Sequence, residues 1–534
     1  MKKALKWLAI IVATPILLFL IFALLLYCPP VQNWVVKRVA NSIAEKTGMK
    51  ITLERVELLF PLDLQMDNLK IIQAERDTVA DVERLVAKVQ LMPLVEGRVE
   101  VDELTFNNLK ANTTNLIGDL RIKGRLKKLH LVSHGINLKG DSLRVNVADI
   151  ENGWLDIALG DTVPDDTSKQ RPLWKIAIGK LNISKTDFAL HMPGDTMNIW
   201  ARIGTASARE ARLLLHDNVY QLASLDWQNG ALRFNQTYAP RALRGFDAGH
   251  IYFDNLNIGL NSFAYATPRI GMRIRTLNFH EKSGLVVNNL KGAFEYDGAT
   301  VALSDFALIM PNSRLSGMFK MNTNVFEQKN PGRLSVRVDG YTNKVDLRPF
   351  LTALPGKIYR AIPNVPLVIL GEIYGNLNRA TFKQLGLKMQ GYFNISATGW
   401  VGSLNKPSAM QADLRLKGTL GNLGFILPLM PRAVTKMINL PRNIGLNGTV
   451  RLREGYYSGN MLLTEGAGRV NIKGEYGVRS GKYNLAVKAN ELQLGRFLPN
   501  MHAIKNRPPE IRPRSQEQSR LMDVEPMYSV NAPK

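Results

Sequence analysis

The strongest constraint on this chain is a two-residue alternation of apolar and polar side chains. Leu62, Leu64 and Met66 alternate with Asp63, Gln65 and Asp67, and Val99 and Val101 with Glu100 and Asp102. Leu143, Val145 and Val147 alternate with Arg144 and Asn146, Ile176 and Ile178 follow Trp174 at the same period, and Leu334, Val336 and Val338 flank Ser335 and Arg337. Val450 and Leu452, then Tyr483, Leu485 and Val487, extend the pattern toward the C-terminus. A period of two marks strands with one apolar and one wet face, antiparallel rather than parallel. Each strand must hide its apolar stripe, and the chain offers few helices to cover it. The solutions left are sheet on sheet, a closed barrel, or a curled trough filled by something apolar.

Internal repetition bears on that choice. Asp67-Asn68-Leu69-Lys70, Asn107-Asn108-Leu109-Lys110, Asp254-Asn255-Leu256-Asn257 and Asn288-Asn289-Leu290-Lys291 are copies of one pattern, read as bends that accept Asn or Asp and lead into a new strand. A second motif, at Val345 to Leu351, Leu423 to Pro428 and Leu492 to Pro499, is read as short helices inserted between strand runs. Ordinary β-sandwiches are one answer. The lack of clean linkers and the add-on units favour one long curved sheet of about 35 strands, some 170 Å in a single row at about 4.8 Å spacing.

The N-terminus sets the location. Trp7 to Cys28 is 22 residues without a charge, about 33 Å as a helix and long enough to cross a bilayer. Trp7, Leu8, Phe19, Phe22, Tyr27 and Cys28 lie in this segment, and Pro15 within it is tolerated in lipid. No Ala-x-Ala-like site follows, so residues 1–28 are read as a retained anchor rather than a cleaved signal peptide. Lys2, Lys3 and Lys6 precede it, which places the N-terminus in the cytoplasm and the bulk of the chain outside. Residues 29–48 read as an amphipathic helix carrying Val31, Trp34, Val35, Val39 and Ile43 on one side. Three β segments are expected at 49–160, 173–322 and 334–500, with a polar linker at 161–172, a boundary loop at 322–333 and a disordered, proline-rich tail at 501–534. The strand pattern stops near residue 500, as in a shortened version of a longer chain.

Composition narrows function. Lys and Arg number 69 against 45 for Asp and Glu, a net charge of +24, which favours an anionic partner. The exported location points to membrane or glycan rather than nucleic acid. With one cysteine there is no intrachain disulfide and no Cys-rich metal site. No Walker-type loop and no Gly-x-Ser-x-Gly elbow occurs. His130 and His134 lack the glutamate of a zinc helix, and Asp161, Asp165 and Asp166 lack calcium-loop spacing. No catalytic residue, metal site or cofactor is nominated.

Two stretches resemble the AsmA-like family, especially its TamB-like branch: Thr47-Gly48-Met49-Lys50-Ile51-Thr52-Leu53-Glu54-Arg55-Val56 running to Phe60-Pro61-Leu62-Asp63-Leu64, and Leu91-Met92-Pro93-Leu94-Val95-Glu96-Gly97-Arg98-Val99-Glu100-Val101-Asp102-Glu103-Leu104. Both follow an anchor and short helix, and the likeness covers about residues 1 to 110. The resemblance implies an inner-membrane-anchored periplasmic protein whose elongated β-groove carries phospholipid toward the outer membrane. TamB-like members are also tied, through a C-terminal domain without a counterpart here, to an Omp85-like barrel partner and to barrel assembly. Candidate lipid-facing residues, taken from alternation, are Leu62, Leu64, Met66, Val99, Val101, Leu143, Val145, Leu334 and Val336. The competing functions are assembly of outer-membrane proteins and glycan binding or cleavage.

Overall fold

The protein is described by a computed structural model covering residues 49–491 except 60–62, 74–76, 91–100, 114–119, 134–141, 160–174, 193–195, 215–216, 218, 326, 328, 353, 405–408, 430–441, 454 and 478–479. The anchor and the amphipathic helix therefore lie outside the described residues, as do Leu62, Val99, the 161–172 linker and the 501–534 tail. Among the described residues no helix is long and apolar enough to cross a membrane.

The fold is mainly β, with 25 strands among the described residues rather than about 35. They divide into two units, residues 1–283 and 284–534. The first unit holds β1 (Met49–Thr52), β2 (Arg55–Leu59), β3 (Asp63–Gln73), β4 (Asp77–Val89), β5 (Val101–Asn112) and β6 (Leu120–Val132). It continues with β7 (Ser142–Leu159), β8 (Lys175–Met192), β9 (Met197–Leu214), β10 (Val219–Gln236), β11 (His250–Ala266) and β12 (Arg269–Glu281). The second holds β13 (Val286–Val287), β14 (Asn289–Tyr296), β15 (Thr300–Met310), β16 (Ser313–Asn322), β17 (Leu334–Thr342) and β18 (Leu367–Asn376). β19 (Arg379–Met389), β20 (Phe393–Gly402), β21 (Gln411–Leu420), β22 (Ile444–Arg453), β23 (Tyr456–Glu465), β24 (Gly468–Gly477) and β25 (Tyr483–Asn490) complete it.

From β3 to β12, and again from β14 to β25, each strand pairs with its neighbour in sequence, and each unit is a curved, open sheet. β1 and β2 both pair with β3 as two halves of one interrupted edge strand. Among the described pairings β7 and β8 depart from the antiparallel rule and run parallel, Ser142 opposite Lys175 and Ala158 opposite His191. A parallel pair needs a crossover rather than a hairpin.

The Asx repeats have a different role from the expected one. Asn68, Asn108 and Asn255 do not precede strands; they sit inside β3, β5 and β11 with φ of 53°, 52° and 48°. Asn152, Lys185 and Asn229 do the same in β7, β8 and β10. Ladder pairs are missing at these positions: between Asp67↔Arg84 and Leu69↔Val82, between Asn107↔Lys128 and Leu109↔Leu126, and between Glu151↔Ser184 and Gly153↔Thr186. These interruptions line up as a crease crossing the strands. Each moves the alternation by one residue, so same-face neighbours step by three, as in Met66 to Leu69 and Phe106 to Leu109. Asn tolerates positive φ because its short amide bonds locally; the Asn108 Nδ2 donates to Glu83 Oε2 at 2.5 Å. Only Asn289, in the fourth copy, opens a strand as expected.

The inserted-helix motif is helical where it is described. A 3-10 turn at Arg348–Phe350 and the helix α1 (Gly356–Ala361) follow β17, and a 3-10 turn at Gly424–Leu429 follows β21. Tyr392 stacks edge-on against Phe425 with ring centroids 5.6 Å apart. The third copy, from Leu492, lies outside the described residues. In this unit Asp305, inside β15 with φ of 49°, repeats the positive-φ device, and glycines at positive φ join it. Gly317 and Gly340 have φ of 152° and 145°, and a Cβ at either would fall 1.9 or 2.1 Å from a carbonyl oxygen of the next strand.

If the crease depends on positive φ, Asn108→Val lowers stability by about 1–3 kcal/mol, whereas Asn108→Gly leaves it within a few tenths. Denaturant melts of the two variants decide this, and equal losses exclude a conformational role.

Candidate functional site

Cross-strand neighbours share a face, so the registers assign faces without ambiguity of alternation. In the first unit Met66, Leu85, Phe106, Leu129, Ile150 and Ile183 stand opposite one another in turn from β3 to β8. The row continues through Ala206, Trp227, Ile258 and Leu277 to β12. In the second unit Phe294, Leu303, Phe319, Val336, Ile373 and Phe382 form the corresponding row from β14 to β19. Gly399, Leu414, Val450, Gly459, Gly474 and Leu485 carry it to β25.

The opposite face carries the ion pairs, together with exposed apolar side chains such as Val368, Leu370 and Tyr374 beside Glu372 on β18. Asp67–Arg84 at 2.9 Å, Asp81–Lys110 at 3.4 Å, Glu103–Lys88 at 3.5 Å and Asp187–Arg202 at 3.4 Å bridge adjacent strands of the first unit. Glu372 with Lys383 at 3.4 Å and Asp413 with Arg451 at 3.3 Å do so in the second. Exposed pairs of this kind each contribute about 0–1 kcal/mol. Their effect is on register, because a one-residue slip would put every charge on the apolar side.

The apolar face is incompletely sealed. Leu69, Val82 and Leu85 are buried and gather Ile51, Leu53, Met66, Leu104, Phe106 and Leu109 into a core at the start of the first unit. In the second unit Val336, Ile373, Phe382, Leu414 and Val450 stay half-buried, while Leu485 and Val487 are 58% and 55% exposed. Inner residues of a two-layer sandwich interdigitate and close off water; these do not. Val450, Tyr457, Tyr476 and Leu485 instead border an open apolar hollow.

The seven nominated residues that are described find their neighbours on the sheets. Leu64 and Met66 pair with Ala87 and Leu85, and Leu334 and Val336 with Gly375 and Ile373. Val101 faces Val89 beside a bulge. Leu143 and Val145 meet Ile176 and Ile178 across the parallel pair, and Val145 is only 3% exposed. Alternation did not single out Phe106, Trp227, Phe319, Ile373 or Leu414; the three-residue step at the creases is the signal that finds the first two.

One titratable cluster stands out on the charged face. His130 Nδ1 lies 3.0 Å from Asp149 Oδ2 and its Nε2 lies 2.9 Å from Glu103 Oε1. Asn182 donates to Asp149 at 2.7 Å, and Ser207 donates to Asn182 at 3.1 Å. With a carboxylate at each ring nitrogen, only the doubly protonated imidazolium donates to both. Partial burial disfavours the charged ring, yet hydrogen bonds to Asp149 and Glu103 outweigh it and raise the histidine's pKa. The hydrogen bond from His130 lowers the pKa of Glu103. Among the described residues no group of His, Cys, Asp and Glu is arranged to hold a metal ion. The two hydrogen bonds of His130 tie β5, β6 and β7 together as a clasp.

Because the folded-state pKa of His130 is raised above its unfolded value of about 6.5, its stabilisation is complete below that value and lost as pH rises through the folded pKa. Thermal melts from about pH 6 to 9 should show this loss, and His130→Gln should flatten it. A wild-type profile as flat as the variant's refutes the clasp.

Comparison with family models, with curated proteins and with solved structures returned no match.

Proposed function

We propose that this chain is a membrane-anchored, AsmA/TamB-like protein of the bacterial inner membrane whose apolar β face binds and conducts phospholipid through the periplasm. The observation that carries this reading is the row from Phe294 to Leu485 in the second unit, half-buried or exposed along its length, with ion pairs on the other face. Passing a two-chain lipid through water exposes about thirty methylenes at about 0.8 kcal/mol each, a barrier on the order of 25 kcal/mol. An apolar face removes most of that cost while the headgroup stays wet. The segment Trp7–Cys28 supplies the anchor in this reading, with the N-terminus cytoplasmic. Sliding along the face involves no reaction, so the reading assigns no catalytic residue or cofactor.

A second reading, assembly of outer-membrane proteins, draws on the free side of β25, which pairs only with β24 among the described residues. An unpaired edge is suited to capturing a client strand. Crosslinks from Ala486 to nascent barrel proteins, without any lipid-transfer defect, select it.

Val336→Glu tests the first reading. It should lower co-purified phospholipid, measured by native mass spectrometry, several-fold while circular dichroism stays unchanged. Arg337→Glu, one residue away on the charged face, should leave lipid content intact. Wild-type chain that folds and purifies free of lipid overturns the proposal.

A further inference from the structure

The most exposed apolar side chains described in the molecule sit together on one loop. Between β10 and β11, Tyr238 is 82% exposed and Leu243 is fully exposed, at 100%. Isolated apolar residues on a surface mean little, but this loop is built to present them. Asp247, buried inside it, accepts from the Ala242 amide at 3.1 Å and the Gly249 amide at 3.2 Å. The buried His250 ring lies 3.2 Å from both Asp247 carboxylate oxygens, and Lys282 donates to the His250 carbonyl. The Thr237 amide donates to Thr196 O at 2.8 Å, and the Gln236 amide to Gly249 O at 2.8 Å. Ala239 closes against Gly249, where a Cβ would come within 2.7 Å of its methyl.

The charge on this tip has one sign. Arg241 and Arg244 are exposed beside Leu243, and the sole acid between Thr237 and Gly249 is Asp247, turned inward and engaged. An aromatic, an aliphatic and two arginines on a hydrogen-bonded scaffold match the boundary of an anionic bilayer: apolar tips enter among the acyl chains while guanidinium groups meet phosphates.

We propose that the Tyr238–Arg244 tip is a docking element for the surface of an anionic phospholipid bilayer. The inference is independent of lipid conduction along the sheet, since a structural or assembly protein could use the same contact.

The test uses the full chain in nanodiscs. With Cys28 replaced by Ser, a single cysteine at Leu243→Cys carries an environment-sensitive fluorophore. Acceptor vesicles contain either phosphatidylethanolamine with phosphatidylglycerol or phosphatidylcholine alone, and nitroxide-labelled lipid is placed in the nanodisc or in the vesicle. Docking predicts blue-shifted emission and nitroxide quenching from one of the two membranes when phosphatidylglycerol is present. Arg241→Ala and Arg244→Ala should each weaken the effect about five-fold. A fluorophore at Lys127→Cys, on the charged face, should remain aqueous. Emission from position 243 that stays aqueous with both lipid compositions overturns the proposal, as does shielding that appears only when a soluble protein is added.

Discussion

The rest of the structure depends on an apolar sheet face that no second layer of the described residues closes in the second unit. A sheet ordinarily hides its greasy side against helices or another sheet. Here each unit is one curved sheet, and the few helical residues described, such as Arg348–Phe350 and α1, fall between strands in the chain. Coiling of the sheet and packing along each strand bring Val336 or Leu414 to half burial. The rest of the face, as at Leu485 and Val487, stays exposed among the described residues.

The pattern of alternation made much of this legible. β17, β22 and β25 coincide with their alternating runs, and the Val345 and Leu423 motifs with short helical inserts. What hid the rest was the crease. A positive-φ residue at Asn152 breaks β7 into two runs of opposite phase, so one strand of 18 residues reads as two short ones. Counting such runs inflates the strand number. The parallel β7–β8 pair was also invisible, because direction within a sheet is decided by a connection and leaves no trace in a two-residue period. Leu143 and Val145 show the same limit: alternation identifies an apolar side, but it does not say whether that side is buried, as Val145 is.

The charged face complements the apolar one. Ion pairs between neighbours such as Asp67 and Arg84 add little stability individually, yet they penalise slippage of a sheet whose inner face, greasy throughout, would accept several registers almost equally. The His130 clasp acts in the same sense across β5, β6 and β7, where the two carboxylates favour the doubly protonated ring. Specificity of pairing comes from the wet side.

The two bending devices make physical sense in this light. At the crease a residue drops out of the ladder and its side chain must point somewhere. At Asn68, Asn152, Lys185, Asn229 and Asn255 that side chain is exposed, so the polar group stays solvated and the dry row from Met66 to Leu277 runs on uninterrupted. Had the inserted amides faced inward, a line of unsatisfied polar groups would cross the apolar surface, each costing about 1–3 kcal/mol to desolvate. Where the bend falls on the dry side, as at Gly317, the side chain is dispensed with altogether. Both choices keep polar atoms off one surface, which a chain that merely needed a curved sheet would have no reason to do.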